Sequence, residues 1–177
     1  VSAQLSSQIA KQSQSAPIQY FKPLKRIIKL NDQDMTVTVI DAQGRYNINL
    51  LADAKQIPIF KQLLLFNNPQ CPPELAQNFS QDTHDWLQNH TNTATDAYYL
   101  RLKPAYYPSH DALTQLSELK LVRHYSKLKL SWQRLKQNII ALPSAARVNR
   151  YDASPQLLAT LYPAMTEDRA EAYLACV

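Results

Sequence analysis

Four side chains able to ligate a metal or carry a proton fall in one short stretch: His84, Asp85, His90 and Asp96. A metal site needs ligands that project to one point, which on a helix means a spacing of three or four residues. His84 and His90 are six apart, a spacing that suits neither a helical pair nor a zinc knuckle. The stretch therefore reads as a solvated polar loop. Cys71 and His84 are the residue types of a thiolate–imidazole pair, yet neither has an activating neighbour in sequence. His110 and His124 stand alone. An enzyme reading would be a hydrolase with an unrecognised site in 84–96, and no GxSxG, HExxH, P-loop, GxGxxG or EF-hand pattern supports it. With one glycine in 177 residues, a phosphate cradle built on a glycine-rich turn is excluded.

A second constellation is basic. Lys120, Arg123, Lys127, Arg134 and Lys136 have Tyr125 and Trp132 interleaved, the composition of a nucleic-acid stacking surface. A nucleic-acid-binding helical module using residues 117–137 is thus the alternative function. Against it, Leu119, Val122, Leu128, Trp132, Leu135 and Ile139 recur at helical core spacing, which predicts that the aromatics face inward. Residues 153–174 have the layout of a helix-hairpin-helix unit, whose DNA-binding form needs glycines so that backbone N–H groups can approach phosphate. Here the turn reads Leu161, Tyr162, Pro163, Ala164, Met165. A net charge of +5 makes the surface basic overall, and a solvated helix face explains it.

The elements that would position these residues follow from periodicity. Val1, Leu5 and Ile9 lie four apart among Gln, Ser and Lys, the polar end of an amphipathic helix that Pro17 closes. Met35 to Ile40 alternates as a β-branched strand, and Asp41, Ala42, Gln43 and Gly44 lead to Arg45, Tyr46, Asn47, Ile48 and Asn49; this predicts a hairpin with Gly44 as its turn residue. Helical patterns cover 57–66, 73–88, 111–121 and 128–142, with Asp111 and Ser117 placed as N-caps. Ser154 with Pro155, and Thr166 with Glu167 and Asp168, start two further helices, the second still running at Val177, which predicts further C-terminal sequence. Cys71 and Cys176 belong to no CxxC or disulfide framework. No stretch approaches the roughly 20 apolar residues of a membrane span.

Several segments, in order, resemble the K class of type II secretion minor pseudopilins. Residues Asp41 to Asn49 resemble its D-x-x-G-[RK]-[FY]-N-[LI]-N signature, Phe60 to Leu64 its F-x-x-L-L, and Asp85, Trp86 and Leu87 its D-W-[LI]. Asp96, Tyr98 and Tyr99 are similar to D-x-Y-Y; Tyr106 and Pro108, then Ser117 to Val122, to its Y-x-P and S-E-L-[RK]-L-V block. Ile139 to Pro143, Val148, Asn149, Ala153, Ser154 and Pro155 complete the order. Arg150, Tyr151 and Asp152 depart from the usual V-N-T.

The resemblance implies an α+β, pilin-like fold: an N-terminal helix on a small antiparallel sheet, with a large inserted helical domain. It implies residues 1–30 as the end of that helix and a linker, 31–50 as the hairpin, 51–143 as the insertion, and 144–177 as a second helical segment. It further implies no catalysis but assembly with I and J class minor pseudopilins and other pseudopilins at the pseudopilus tip, without nucleic acid. The protein would be periplasmic, anchored in the inner membrane by a helix outside this chain. Val1, Leu5 and Ile9 are then the expected partner contacts. The family's acidic runs suit calcium, but Gln88, Asn89 and His90, then Ala94, Thr95 and Asp96, stand in their place. Asp85 and Asp96 remain the weak calcium candidates, no cofactor is expected, and Asp85 is expected as a cap or acceptor beside Trp86.

Overall fold

The structure is a computed structural model and describes residues 23–89, 93–143, 146–162 and 164–176, with the side chains of Thr93 and Ala94 left undescribed. Among the described residues the architecture is α+β, a helical body carrying two two-stranded sheets. Strands β1 (Leu24–Leu30) and β2 (Gln33–Val39) form an antiparallel hairpin whose register runs from Leu24 opposite Val39 to Leu30 opposite Gln33. Asn31 and Asp32 connect them at φ of 50° and 61°. A two-residue hairpin loop needs positive φ at both positions, and Asn and Asp are the non-glycine residues that best tolerate it.

The hairpin expected at 31–50 is therefore displaced: Met35 to Val39 pair with the chain before them, not after. Residues Ala42–Gly44 form a 3₁₀ turn instead, with the Asp41 carboxylate accepting the Gln43 N–H at 2.9 Å. Gly44 does not have a positive φ. Its lack of a Cβ serves close approach, because a Cβ there would stand 2.5 Å from the Asp152 carbonyl oxygen. Beyond it, β3 (Tyr46–Asn47) pairs in parallel with β4 (Ile139–Ile140).

Two long helices form the centre of the body. Helix α1 (Ile57–Asn67) buries Phe60, Leu63, Leu64 and Asn67, and α2 (Pro73–Leu87) buries Ala76, Phe79, Ser80, Thr83, Trp86 and Leu87. These are the i, i+3, i+4, i+7 positions that make one face of a helix apolar. Ser80 and Thr83 can be buried because their hydroxyls donate to the carbonyls of Ala76 and Phe79 one turn back, at 2.7 and 2.8 Å. Rings then pack in series, Tyr46 on Phe60, Phe60 on Phe79, Phe79 on Tyr125 and Tyr125 on Trp132, with centroids 6.1 to 6.3 Å apart.

Helix α3 (Thr93–Leu100) occupies part of the stretch read as polar loop. The expected helices at 111–121 and 128–142 are much shorter. In the first, Glu118 turns back to accept the N–H groups of Thr114 and Gln115 at 2.9 and 2.7 Å, which leaves a 3₁₀ helix, Leu116–Leu121, capped by Gln115 rather than by Asp111 or Ser117. In the second, Lys129 is left-handed at φ 48°, so α4 (Trp132–Asn138) starts only where Ser131 caps it, and it stops where Ile139 enters β4. Helices α5 (Pro155–Leu161) and α6 (Glu167–Ala175) start at Ser154 and Thr166, as their cap residues predict.

Candidate functional site

Two buried asparagines on the strand–turn after Gly44 tie the body together. The Asn49 amide nitrogen donates to the carbonyls of Leu113 at 2.9 Å and Leu142 at 2.7 Å, while its oxygen accepts the Leu113 N–H at 2.8 Å. Asn47 donates to the Pro143 and Ala146 carbonyls at 3.0 and 2.9 Å and accepts from the Leu142 N–H at 3.1 Å. Each amide meets carbonyls at its nitrogen and N–H groups at its oxygen, so the orientation is set by its partners. The N-[LI]-N of the sequence is a clamp that joins segments far apart in the chain.

The histidines and carboxylates sort into separate pairs. Asp85 accepts from Gln81 at 3.0 Å on the surface of α2. Asp82 accepts from His124 Nδ1 at 2.5 Å, and burial pushes its carboxyl above the usual range even though His124 opposes that shift. Asp96, buried in the first turn of α3, contacts His110 Nε2 at 3.0 Å, and the other nitrogen of that ring faces the Gln88 carbonyl at 3.1 Å. His84 Nδ1 lies 2.6 Å from the Leu51 carbonyl. His110 and His124, which looked solitary in sequence, are cross-chain partners of acids. His90 lies outside the described residues.

This arrangement offers little to catalysis. Both His110 nitrogens face acceptors, so neither is free to take a proton from a nucleophile. The Cys71 thiol is buried, its pKa raised by that burial, and its polar contact is the Pro72 carbonyl at 3.6 Å. Cys176 is exposed, and both thiols are free. Among the described residues no three His, Cys, Asp or Glu side chains converge as a metal site would need. Calcium takes six to eight oxygens, several from carboxylates. Among the described residues Asp82, Asp85 and Asp96 each meet a different partner, His124, Gln81 and His110, and do not converge as a ligand set for that ion would.

Two of the basic side chains are engaged internally. Lys120 Nζ sits 4.6 Å above the Trp132 ring and the Arg123 guanidinium 4.7 Å above Tyr98. Aromatic faces covered in this way by the protein's own cations are not open for a base to stack on. Tyr125 and Trp132 are half-buried, as their core spacing predicts.

Exposed large apolar side chains occur on the helical body, at Phe66, Leu100, Tyr107, Leu121 and Tyr162, and also on the hairpin and just after it. Ile27 is 72% exposed, Leu30 54%, Met35 45% and Ile40 52%, and no residue of β1 or β2 is fully buried. A hairpin with so little cover is marginal alone and presents unpaired edges. Val1, Leu5 and Ile9, the expected partner contacts, lie outside the described residues. Among the described residues no helix is long and apolar enough to cross a membrane.

Residues 44–144, more than half of the chain, match the family model for type II secretion system protein K. The chain belongs to that family. Type II secretion system protein K of Pseudomonas aeruginosa is 30% identical over 148 residues, covering 76% of this chain and 42% of that protein. The Klebsiella pneumoniae protein K is 27% identical over 154 residues, covering 78% of this chain and 47% of that protein. The fold is similar to a chain of the crystal structure of the GspK-GspI-GspJ complex from enterotoxigenic Escherichia coli, with a TM-score of 0.65, 21% identity, and coverage of 77% of this chain and 52% of that one. The chain thus spans about half the length of the protein K relatives it matches. The family segment starts at Gly44 and contains both clamp asparagines.

Proposed function

We propose that this chain is the periplasmic part of a minor pseudopilin that assembles with the I and J class minor pseudopilins and caps the tip of the type II secretion pseudopilus. The observation that carries the reading is a two-stranded hairpin without a single fully buried residue, which leaves Ile27, Leu30 and Met35 exposed, with Ile40 exposed just beyond it. Large exposed apolar side chains grouped on one element mark a surface made for covering. Protein K family membership and the fold shared with a chain of a K–I–J complex support the same partners.

In this reading the work is mechanical. The helix bearing Val1, Leu5 and Ile9 packs its apolar stripe against partner helices, its upstream continuation anchors the protein in the inner membrane, and the bulk of the helical body prevents a further subunit from adding above it. Replacing Leu5 and Ile9 together by Asp is expected to abolish co-purification with the I and J subunits while leaving the melting temperature of the isolated chain unchanged. Undiminished complex formation by the double variant overturns the assignment of Val1, Leu5 and Ile9 as the interface.

A further inference from the structure

Open clefts run into one another where α1, α4 and α5 meet. The middle one, about 380 Å³, is lined by Phe66, Arg134, Asn138 and Gln156 among others; it shares Gln137 and Ser154 with a cleft of about 420 Å³ toward Ile40, and Phe66 and Gln156 with one of about 440 Å³ toward Glu167. Each is near the low end of the about 300 to 1,000 Å³ of ligand pockets, and their shared walls make the row an elongated groove. Such a shape suits a stretch of extended polypeptide rather than a compact small molecule.

The floor is fixed by the protein's own bonds: Asn138 donates to the Asn67 amide oxygen at 3.0 Å, and Asn67 to the Leu63 carbonyl at 2.8 Å. Two side chains beside it are not used in this way. Phe66 is 41% exposed in a concave wall, off the face of Phe60, Leu63, Leu64 and Asn67 by which α1 packs. Arg134, exposed on α4, makes no ion pair among the described residues, and the middle cleft sets no carboxylate against it. In the adjoining cleft Arg45 gives an Nη1 bond to the Lys136 carbonyl at 3.3 Å but leaves a buried Nε without a partner. The acids at that end, Asp41 and Asp152, accept from the Asn149 amide at 2.9 and 2.6 Å, so they face the protein's own donor. An arginine without a counter-ion next to an exposed aromatic, both in a groove, makes a pair of peptide anchors. The planar guanidinium takes a carboxylate through two N–H groups, and the ring takes an apolar side chain.

We infer that this groove binds an extended segment of a protein partner in which an acidic residue lies beside an apolar one, the carboxylate paired with Arg134 and the apolar side chain packed on Phe66. The side-chain amides of Gln137 and Gln156 flank these anchors, and each offers a donor and an acceptor to a peptide backbone. The inference is independent of assembly with the I and J subunits, because it concerns α1, α4 and α5 and not residues 1–9.

The test is fluorescence polarisation with the fluorescein-labelled peptide Gly-Ser-Gly-Asp-Leu-Asp-Leu-Ser-Gly-Ser at about 50 mM salt. We expect saturable binding with a Kd on the order of 100 µM, weakened several-fold at about 500 mM salt because the charge pair is screened. Changing both Asp of the peptide to Asn, or introducing Arg134→Gln or Phe66→Ser in the protein, should each weaken binding by about fivefold or more. Melting temperatures should not change, because both side chains are exposed. Arg134→Glu should reverse the preference, binding a peptide with Lys at the Asp positions more tightly than the original. No saturation up to about 2 mM, equal binding of the Asn peptide, or an affinity untouched by Arg134→Gln or Phe66→Ser would each overturn the inference. So would self-association of the chain that Phe66→Ser abolishes and the peptide does not, since the occupant of the groove would then be a second copy.

Discussion

Replacing Asn49 tests whether the clamp is held by donor chemistry or by volume. The side chain makes three hydrogen bonds, to the carbonyls of Leu113 and Leu142 and from the Leu113 N–H, at 2.9, 2.7 and 2.8 Å. Asn49→Ala leaves three backbone groups without partners. An unsatisfied buried polar group costs about 1 to 3 kcal/mol, so with partial relaxation the loss is about 3 to 5 kcal/mol. That is a large share of the about 5 to 15 kcal/mol that stabilises a typical domain. Asn49→Asp has nearly the same volume and keeps an acceptor for the Leu113 N–H, but it sets a carboxylate oxygen against two carbonyl oxygens and buries a charge. At neutral pH it should therefore be at least as destabilising as Ala. Burial raises the carboxyl's pKa above its unfolded value, so its stability should recover as pH falls and the protonated acid regains one donor. Urea unfolding followed by the fluorescence of the buried Trp86 measures this, with a midpoint shift of roughly 2 M at an m-value of about 2 kcal/mol/M. An Asp variant clearly more stable than the Ala variant at pH 7 would show that filled volume, not donation to Leu113 and Leu142, is what Asn49 supplies.

Two further outcomes follow from the same packing. Gly44→Ala places a methyl group 2.5 Å from the Asp152 backbone oxygen, so the turn must move away from the start of α5; we expect a loss of about 1 to 3 kcal/mol by denaturant melting, and no loss would mean that the approach is soft. Burial pushes the phenols of Tyr46 and Tyr99 far above the ordinary tyrosine range. A raised folded pKa contributes stability that is complete below about pH 10 and is lost as pH climbs toward the folded value, so alkaline unfolding should begin above about pH 10. Ultraviolet titration of the ten tyrosines should show these two ionising only with unfolding, and smooth ionisation of all ten in the folded state would refute it.

How much of this was legible in the sequence depends on how local each feature is. Helices α1 and α2 follow from apolar residues at helical spacing, and α5 and α6 from Ser154, Pro155 and Thr166, because a periodic face and a side-chain cap act within a few residues of themselves. The family pattern could likewise be read in order along the chain, and the match over residues 44–144 agrees with it. The alternation of Met35 to Ile40 marked a strand, but its partner was decided by which dipeptide could adopt two left-handed conformations, and that was Asn31-Asp32, not the segment ending at Gly44.

What only the tertiary structure decided are the relations between distant segments. Helical spacing at 128–142 was genuine, yet Lys129 and the pairing of Ile139 with Tyr46 cut it to seven residues, since a parallel ladder across the core outweighs a turn or two of extra helix. His110 and His124 had no visible partner because theirs, Asp96 and Asp82, lie 14 and 42 residues away. Asn47 and Asn49 carried the right residue types at the right spacing, but a side-chain amide names no partner in sequence. Its role emerges only when folding brings backbone carbonyls and N–H groups from residues 113, 142, 143 and 146 to both ends of the amide and buries them there, where each must be satisfied.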